Sequence, residues 1–468
     1  MIKVSQLYIQ NVGPFEGETF DFSVEEGHPD IHIFTGQNGS GKTTILHGLA
    51  SNFNYKPLFR EAHKKYIAND FYKRFHFFED ENDSPKSLIY STIFDSESKK
   101  IIDEATKFGC STCKGLHSNL NVIGEEKLKN IRSNFNDEYP IEKNEELDNY
   151  LINTDEDEYN HNYKFKFATF GYSGYRFIES ESVQINKKID PFKNALEFKK
   201  NDNENSNIPS WIASTYSKIA IASTEGNQEL AKKYRTALDC LMNSIHDLTE
   251  GEFTFKIKTT PWDVVAVYHD KEIEFDTLPD GLRSVLSWMG DLLMRLDAIP
   301  WEDNNIPVNH QNIILLLDEI EVHLHPKWQY QILPLTQKIF PNAQIFLTTH
   351  SPFIINSIDN AKIHKLKLEN GVSKVSETRL SDTGESYSYV YKNILDTTNR
   401  FAADTEKKIA EFNKIDAEIV MGDFKNEEKF KKLVGELVEE GEEVISMIGS
   451  KLYRLERVTG KDYLNGKN

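Results

Sequence analysis

The chain has 468 residues, 38% of them hydrophobic, with 29 Phe, 20 Tyr and a formal net charge of -19 at pH 7. That length holds two or three domains, or one large decorated domain, and the charge argues against a globally basic nucleic-acid binder while leaving a local basic groove open. No run nears the ~18 apolar residues of a membrane span, "MIKVSQLYIQN" lacks the features of a signal peptide, and three cysteines are too few for a disulfide scaffold, so a cytosolic protein is expected.

In chain order, "KVSQLYIQN" and "GETFDFS" alternate as strands around the turn residues "VGPFEG". A short apolar strand at 31–35 then runs into a Gly-rich loop and a helix. "SLIYSTIFD" predicts a strand over 87–95. Residues 102–162 turn polar and acidic and read as an insertion facing solvent. The core is expected to resume with an alternating strand, "YKFKFATF", at 163–170. Helices are predicted within 208–248, and a hairpin from "FTFKIKTT" and "DVVAVYHD". "GLRSVLSWMGDLLMRLD" is a helix with Leu282, Val285, Leu286, Met289, Leu292, Leu293 and Leu296 on one face. Strands follow at "NIILLLD", "AQIFLTTH" and "IHKLKLE", with the helix "KWQYQILPLTQKIF" between the first two. From about 395 the chain reads as charged helices. Apolar strands joined by helices give an α/β class: a mainly parallel central sheet, antiparallel strands, helical insertions and a helical tail.

"GQNGSGKT", residues 36–43, fits the phosphate-loop pattern G-x-x-x-x-G-K-[ST] with a strand before it and a helix after it. Gly36, Gly39 and Gly41, with Gln37, Asn38 and Ser40, let backbone N–H groups approach phosphate oxygens, and the helix start at Lys42, Thr43 and Thr44 adds partial positive charge. Lys42 is expected on the β- and γ-phosphates of ATP and Thr43 on Mg²⁺. Such a loop needs an acidic partner strand, and "NIILLLDE" supplies it. Asp318 is the Mg²⁺ candidate and Glu319 the base for the attacking water. His350 ends the next apolar strand, "FLTTHSP", where it can meet the γ-phosphate or the water.

"LLLDEIEVHLHP" also admits a metal cage of Asp318, Glu319, Glu321, His323 and His325. That cage requires an extended strand, which sets Glu319, Glu321, His323 and His325 on one side. The phosphate loop and His350 explain the two acids without it, so the chain is expected to turn after Glu319, with His325 and Pro326 shaping the entry to the next helix.

Together "GQNGSGKT", "LLLDE", "EVHLHP" and "TTHSP" resemble the ABC-type ATPase heads, closest to the RecF, SMC and overcoming-lysogenization-defect class. The resemblance implies a head-to-head dimer with two ATP molecules between phosphate loop and opposing signature. "DTLPDGLRSVLS", residues 276–287, resembles that signature, with Asp280, Gly281 and Arg283 matching. Pro279 stands where the family usually has Ser, so a hydroxyl donor is missing and binding should survive more easily than fast turnover. His323 resembles a position beside the dimer interface. "FGYSGYRF", 170–177, resembles the family's "AGYGPxR" segment but contains no Gln, so no glutamine loop is placed.

"CSTC", 110–113, with His117, supplies Cys110, Cys113 and His117 toward a zinc site that a second subunit could complete; a pair of free thiols is the alternative. After residue 394 no acidic constellation for a built-in nuclease remains. The chain therefore resembles the stand-alone ATPase subunits of Septu-type anti-phage systems, which are encoded beside an HNH nuclease and also found in some retrons. The tail "NRFAADTEKKIAEFNKIDAEIVMGDFKNEEKFKKLVGEL" resembles theirs, although an ordinary solvated helical cap reads the same way. Three functions follow for comparison: an ATP-controlled sensor and scaffold for a nuclease, a DNA-binding repair or chromosome ATPase, and the ATPase of a membrane importer. The insertions and tail argue against the third, and the net charge gives little help to the second.

Overall fold

The computed structural model describes residues 1–10, 12–53, 87–95, 100–108, 163–176, 183–184, 189–190, 191–196, 198, 207–251, 253–260, 262–397, 401–461 and 463. They fall into two units, Met1–Val390 and Tyr391–Asn468.

The first unit opens with an antiparallel sheet of β1 (Ile2–Gln10), β2 (Glu18–Asp21), β4 (Ser87–Asp95) and β5 (Lys100–Phe108), in the order β2-β1-β4-β5. β5 pairs with β4 along its whole length, so strand structure continues past residue 102, where the polar segment was expected to begin the insertion. The central sheet contains β3 (Ile31–Gly36), β6 (Ala168–Tyr172), β10 (Ile313–Leu317), β11 (Ala343–Thr348), β12 (Lys362–Glu369) and β13 (Val372–Leu380). Its order is β13-β12-β3-β11-β10-β6, parallel throughout except for the β12–β13 hairpin. β10 and β11 are buried at every position, as continuous apolar runs in a sheet covered on both faces must be. Helix α1 (Lys42–Ser51) leaves the end of β3 and packs against β3, β6, β10 and β11. The sheet thereby brings the ends of β3, β10, β11 and β6 to one rim, where parallel α/β sheets expose their chemistry.

The strand expected over 163–170 is shorter and later: Phe165 makes one isolated bridge to Trp301, and β6 starts at Ala168, where pairing with β10 begins. Helices α2 (Asn207–Thr224) and α3 (Gln228–Thr249) follow, then a small antiparallel sheet of β7 (Phe253–Thr259), β8 (Trp262–Tyr268) and β9 (Lys271–Ile273). The helix expected from residue 281 is not uniform. α4 (Asp280–Val285) and α5 (Asp291–Ala298) are joined by a π turn, Leu286–Gly290. All seven apolar positions of its predicted face are buried. The wider turn also brings Asp291 inside, where it accepts from Tyr172 Oη at 2.8 Å and Arg295 Nε at 2.6 Å. α6 (Pro326–Ile339) begins with Pro at its first position, and His325 Nδ1 accepts from Lys327 N at 3.2 Å.

The second unit holds three amphipathic helices, α7 (Ala403–Val420), α8 (Glu427–Glu439) and α9 (Glu442–Thr459). They close on a core of their own, with Phe412 and Phe430 stacked and Ile415, Leu437, Ile448 and Leu455 around them.

Candidate active site

At the end of β3 the chain takes backbone angles that only glycine adopts cheaply. Gly36, Gly39 and Gly41 have φ of 149°, 82° and 87°. A side chain at Gly36 would come within 2.4 Å of the Leu366 carbonyl, and one at Gly41 within 2.6 Å of the Phe15 ring. Gln37, Asn38 and Gly39 form the exposed crest, while Ser40 and Thr44 are buried below it. Ser40's carbonyl accepts from Ser373 Oγ at 2.7 Å, which ties the loop to β13. The loop is thus a preformed ring of amides at a helix start.

Lys42 folds its ammonium back over that ring, donating to the Gly36 and Gln37 carbonyls at 3.0 and 3.1 Å. Burial pushes its pKa down, against the opposing pull of Asp318, Glu319 and Glu321. Thr43 Oγ1 donates to both Asp318 carboxylate oxygens, at 3.1 and 3.0 Å, across 275 residues of sequence. Thr348, at the end of β11, donates its hydroxyl to Asp318 Oδ1 at 2.6 Å and accepts from the Glu319 amide at 2.8 Å. β10 therefore ends in a carboxylate held by two hydroxyls, followed by an exposed one, Glu319.

No strand continues past Leu317. Residues 318–323 turn, with Glu319 and His323 at φ of 47° and 65°. The extended geometry that the metal cage required does not exist, and among the described residues no three His, Cys, Asp or Glu side chains are grouped to hold a metal. Glu321 instead accepts from the His350 amide at 2.6 Å, and burial raises its pKa. His350 lies at the surface, and its pKa is lowered by partial burial and by the Lys42 charge.

The start of α4 lies against this same turn. A side chain at Gly281 would come within 3.0 Å of the Trp328 ring and 3.2 Å of the His323 carbonyl, and Ser284 Oγ donates to the Val322 carbonyl at 3.1 Å. Pro279 caps the helix without a side-chain acceptor, and Asp280 pairs with Arg283, whose Nη1 also donates to the Asp276 carbonyl at 3.0 Å. So Pro279, Asp280, Gly281, Arg283 and His323 form one set, while loop 36–44, Asp318, Glu319 and His350 form another. Cys110, Cys113 and His117 lie outside the described residues.

Three participants were not legible as such in the sequence. Thr348, the next-to-last residue of "AQIFLTT", reads as a strand end, yet its hydroxyl joins Asp318 to Glu319. Arg176 is buried and donates to the carbonyls of Asp318, Ile320 and Ser173. Tyr172 accepts the Asp318 amide on its carbonyl at 2.8 Å. The available signal was position: each lies at or just past the end of a parallel strand, where polar side chains are out of place unless used.

Residues 31–356 match a family described as "AAA domain, putative AbiEii toxin, Type IV TA system", and residues 2–55 match a second described as "AAA domain". The Retron Ec83 probable ATPase of Escherichia coli is 22% identical over 438 residues, spanning 87% of this chain and 79% of that one. The Retron Vc95 probable ATPase of Vibrio cholerae serotype O1 biovar El Tor is 24% identical over 399 residues, spanning 78% and 74%. The Septu protein PtuA of Bacillus thuringiensis is 30% identical over 127 residues, 27% of this chain and 31% of that protein.

Proposed function

The chain belongs to the AAA-domain family that its residues 31–356 match, and from that premise we propose an ATP-controlled sensor and scaffold that regulates a separately encoded nuclease, of HNH type, in anti-phage defence. Its relation to two retron ATPases over most of its length, and to PtuA over a shorter stretch, supports the defence setting. One observation carries the chemistry: Thr43, Asp318, Thr348 and Glu319 meet at the phosphate loop, although they come from three separate parts of the chain.

In this reading the amides of 36–43 and the Lys42 ammonium bind the β- and γ-phosphates of ATP. Thr43 and Asp318 fit Mg²⁺, since a hydroxyl and a carboxylate held together are hard oxygen donors. When bound, the ion would neutralise phosphate charge. Glu319, exposed beside this pair, accepts a proton from the attacking water, and His350 contacts the γ-phosphate side. Two copies dock head to head, with the 279–283 segment and His323 of one facing the ATP of the other. Turnover is slow because Pro279 offers no hydroxyl there. The chain cuts no DNA itself and reaches DNA through the partner nuclease.

Purifying the protein with the products of its neighbouring genes, then measuring DNA cleavage with and without ATP, tests the reading. A co-purifying nuclease whose cleavage changes with ATP is the expected result. A chain that brings down no nuclease, yet binds DNA tightly alone, would replace this reading with that of a DNA-repair or chromosome ATPase.

A further inference from the structure

We infer that Arg176 is the positioning residue for Glu319: its guanidinium grips the backbone on both sides of that acid and holds the carboxylate over Gly174. This rests on the ATPase reading, with Glu319 as the base.

β6 ends at Tyr172, and the chain doubles back through Ser173, Gly174 and Tyr175. Tyr175 is left in solvent while Arg176 is driven inside, only 4% exposed. There its planar fork is spent on carbonyls. Nη2 donates to Asp318 O at 2.9 Å, Nη1 to Ile320 O at 3.0 Å and Nε to Ser173 O at 3.0 Å. The first two carbonyls flank Glu319. The third ties the grip to the strand-end turn from which Arg176 itself comes.

Glu319 needs such a grip. Its φ of 47° lies in the left-handed region, which disfavours an L side chain. The Thr348 hydroxyl restrains its amide from one side, and the Arg176 fork restrains the neighbouring carbonyls from the other. Gly174 forms the floor. A methyl group there would lie 3.0 Å from Glu319 Oε2 and 3.2 Å from its Cβ. Lysine, a single point charge, cannot match three carbonyls as a fixed fork does. Burial lowers the Arg176 pKa to about 10, so it stays cationic at neutral pH, and Glu321, Asp318 and Glu319 favour that charge.

The test uses the full-length protein and four variants: Arg176→Ala, Arg176→Lys, Gly174→Ala and, as control, Glu319→Gln. Equilibrium ATP binding, phosphate release and thermal unfolding are measured for each. Arg176→Ala should lower kcat about 100-fold, the scale of a misplaced catalytic group, with ATP affinity within about threefold of wild type. Added guanidinium ion should restore part of that rate. Gly174→Ala should lower kcat about tenfold at an unchanged unfolding temperature, because the added methyl is tight only against the Glu319 side chain, while Val322 Cγ2 lies at an ordinary contact distance of 3.6 Å. If Arg176→Ala does not fold, Arg176→Lys and Gly174→Ala decide. The proposal is overturned if these two keep the wild-type kcat per folded chain, or if ATP affinity falls in step with kcat. A Glu319→Gln variant that turns over at the wild-type rate would remove Glu319 as the base, and this proposal with it, whereas a wild-type protein that neither binds ATP nor releases phosphate would sink the ATPase reading itself.

Discussion

The two ends of β3 both carry buried polar groups, and they treat them in opposite ways. Before and at its start, His32 meets Asp30 through Nε2 at 3.2 Å and His364 through Nδ1 at 3.5 Å. Asp30 also pairs with Lys3 at 2.7 Å and accepts from Gln344 at 3.0 Å. The rings of Phe22, Phe34 and Phe346 close around the two histidines. Each imidazole nitrogen at that contact has a role consistent with a neutral ring, so the cluster satisfies itself and needs nothing from outside. At the other end Lys42 and Asp318 are also buried, but Glu319 and His350 stand at the surface beside them. A polar cluster that closes on itself is architecture. One that leaves an acid and an imidazole at an open rim is placed to act on something.

That contrast can be broken at either end. The largest effect belongs to Glu319→Gln, which should lower the rate of phosphate release roughly 10²- to 10⁴-fold while leaving ATP bound and the paired heads closed. Size-exclusion chromatography with ATP and single-turnover kinetics check this, and a wild-type rate would make Glu319 a bystander. Next, Lys42→Ala should weaken ATP binding about 100-fold, since an ammonium's charge-assisted contacts to phosphate sum to about 3 kcal/mol; calorimetric titration reads it. An unchanged affinity would mean that the loop amides bind alone.

The closed end predicts a stability effect instead. Burial holds the His364 pKa well below its ordinary value, helped by His32 and the Lys362 charge, and burial lowers that of His32 despite Asp30. Above pH ~6.5 both folded and unfolded forms are neutral, and nothing is lost. Below it the unfolded chain takes up protons that the folded chain refuses, so stability falls, by up to about 1.4 kcal/mol per pH unit for His364 and in the same direction for His32. Melting curves between pH 7 and 5 should show this slope, shallower in His364→Gln. An identical slope in the variant would show that the pair does not titrate with folding.

The open end was largely legible in the sequence, and the reasons are local. A glycine pattern between a strand and a helix, and an apolar run ending in two acids, are continuous segments whose chemistry travels with them. Arg176 stood in a segment, "FGYSGYRF", whose resemblance gave it no role, because two of its three partners are backbone carbonyls 142 and 144 residues away. β13 escaped for another reason. "VSKVSETRL" is an edge strand with mostly polar, exposed positions and almost no apolar alternation, held by its pairing to β12. The π turn at Leu286–Gly290 shifts a helix face without changing its apolar period, so the predicted face was right while Asp291 moved inside unannounced.

The left-handed backbone at Glu319 has a consequence for how sturdy the protein can be. A chain selected only to resist heat would carry glycine at 319, where the same φ costs little, and Glu319→Gly should unfold about 1 kcal/mol harder than wild type in a denaturant titration. Position 319 is therefore a place where durability and work pull apart, and this sequence has settled on work.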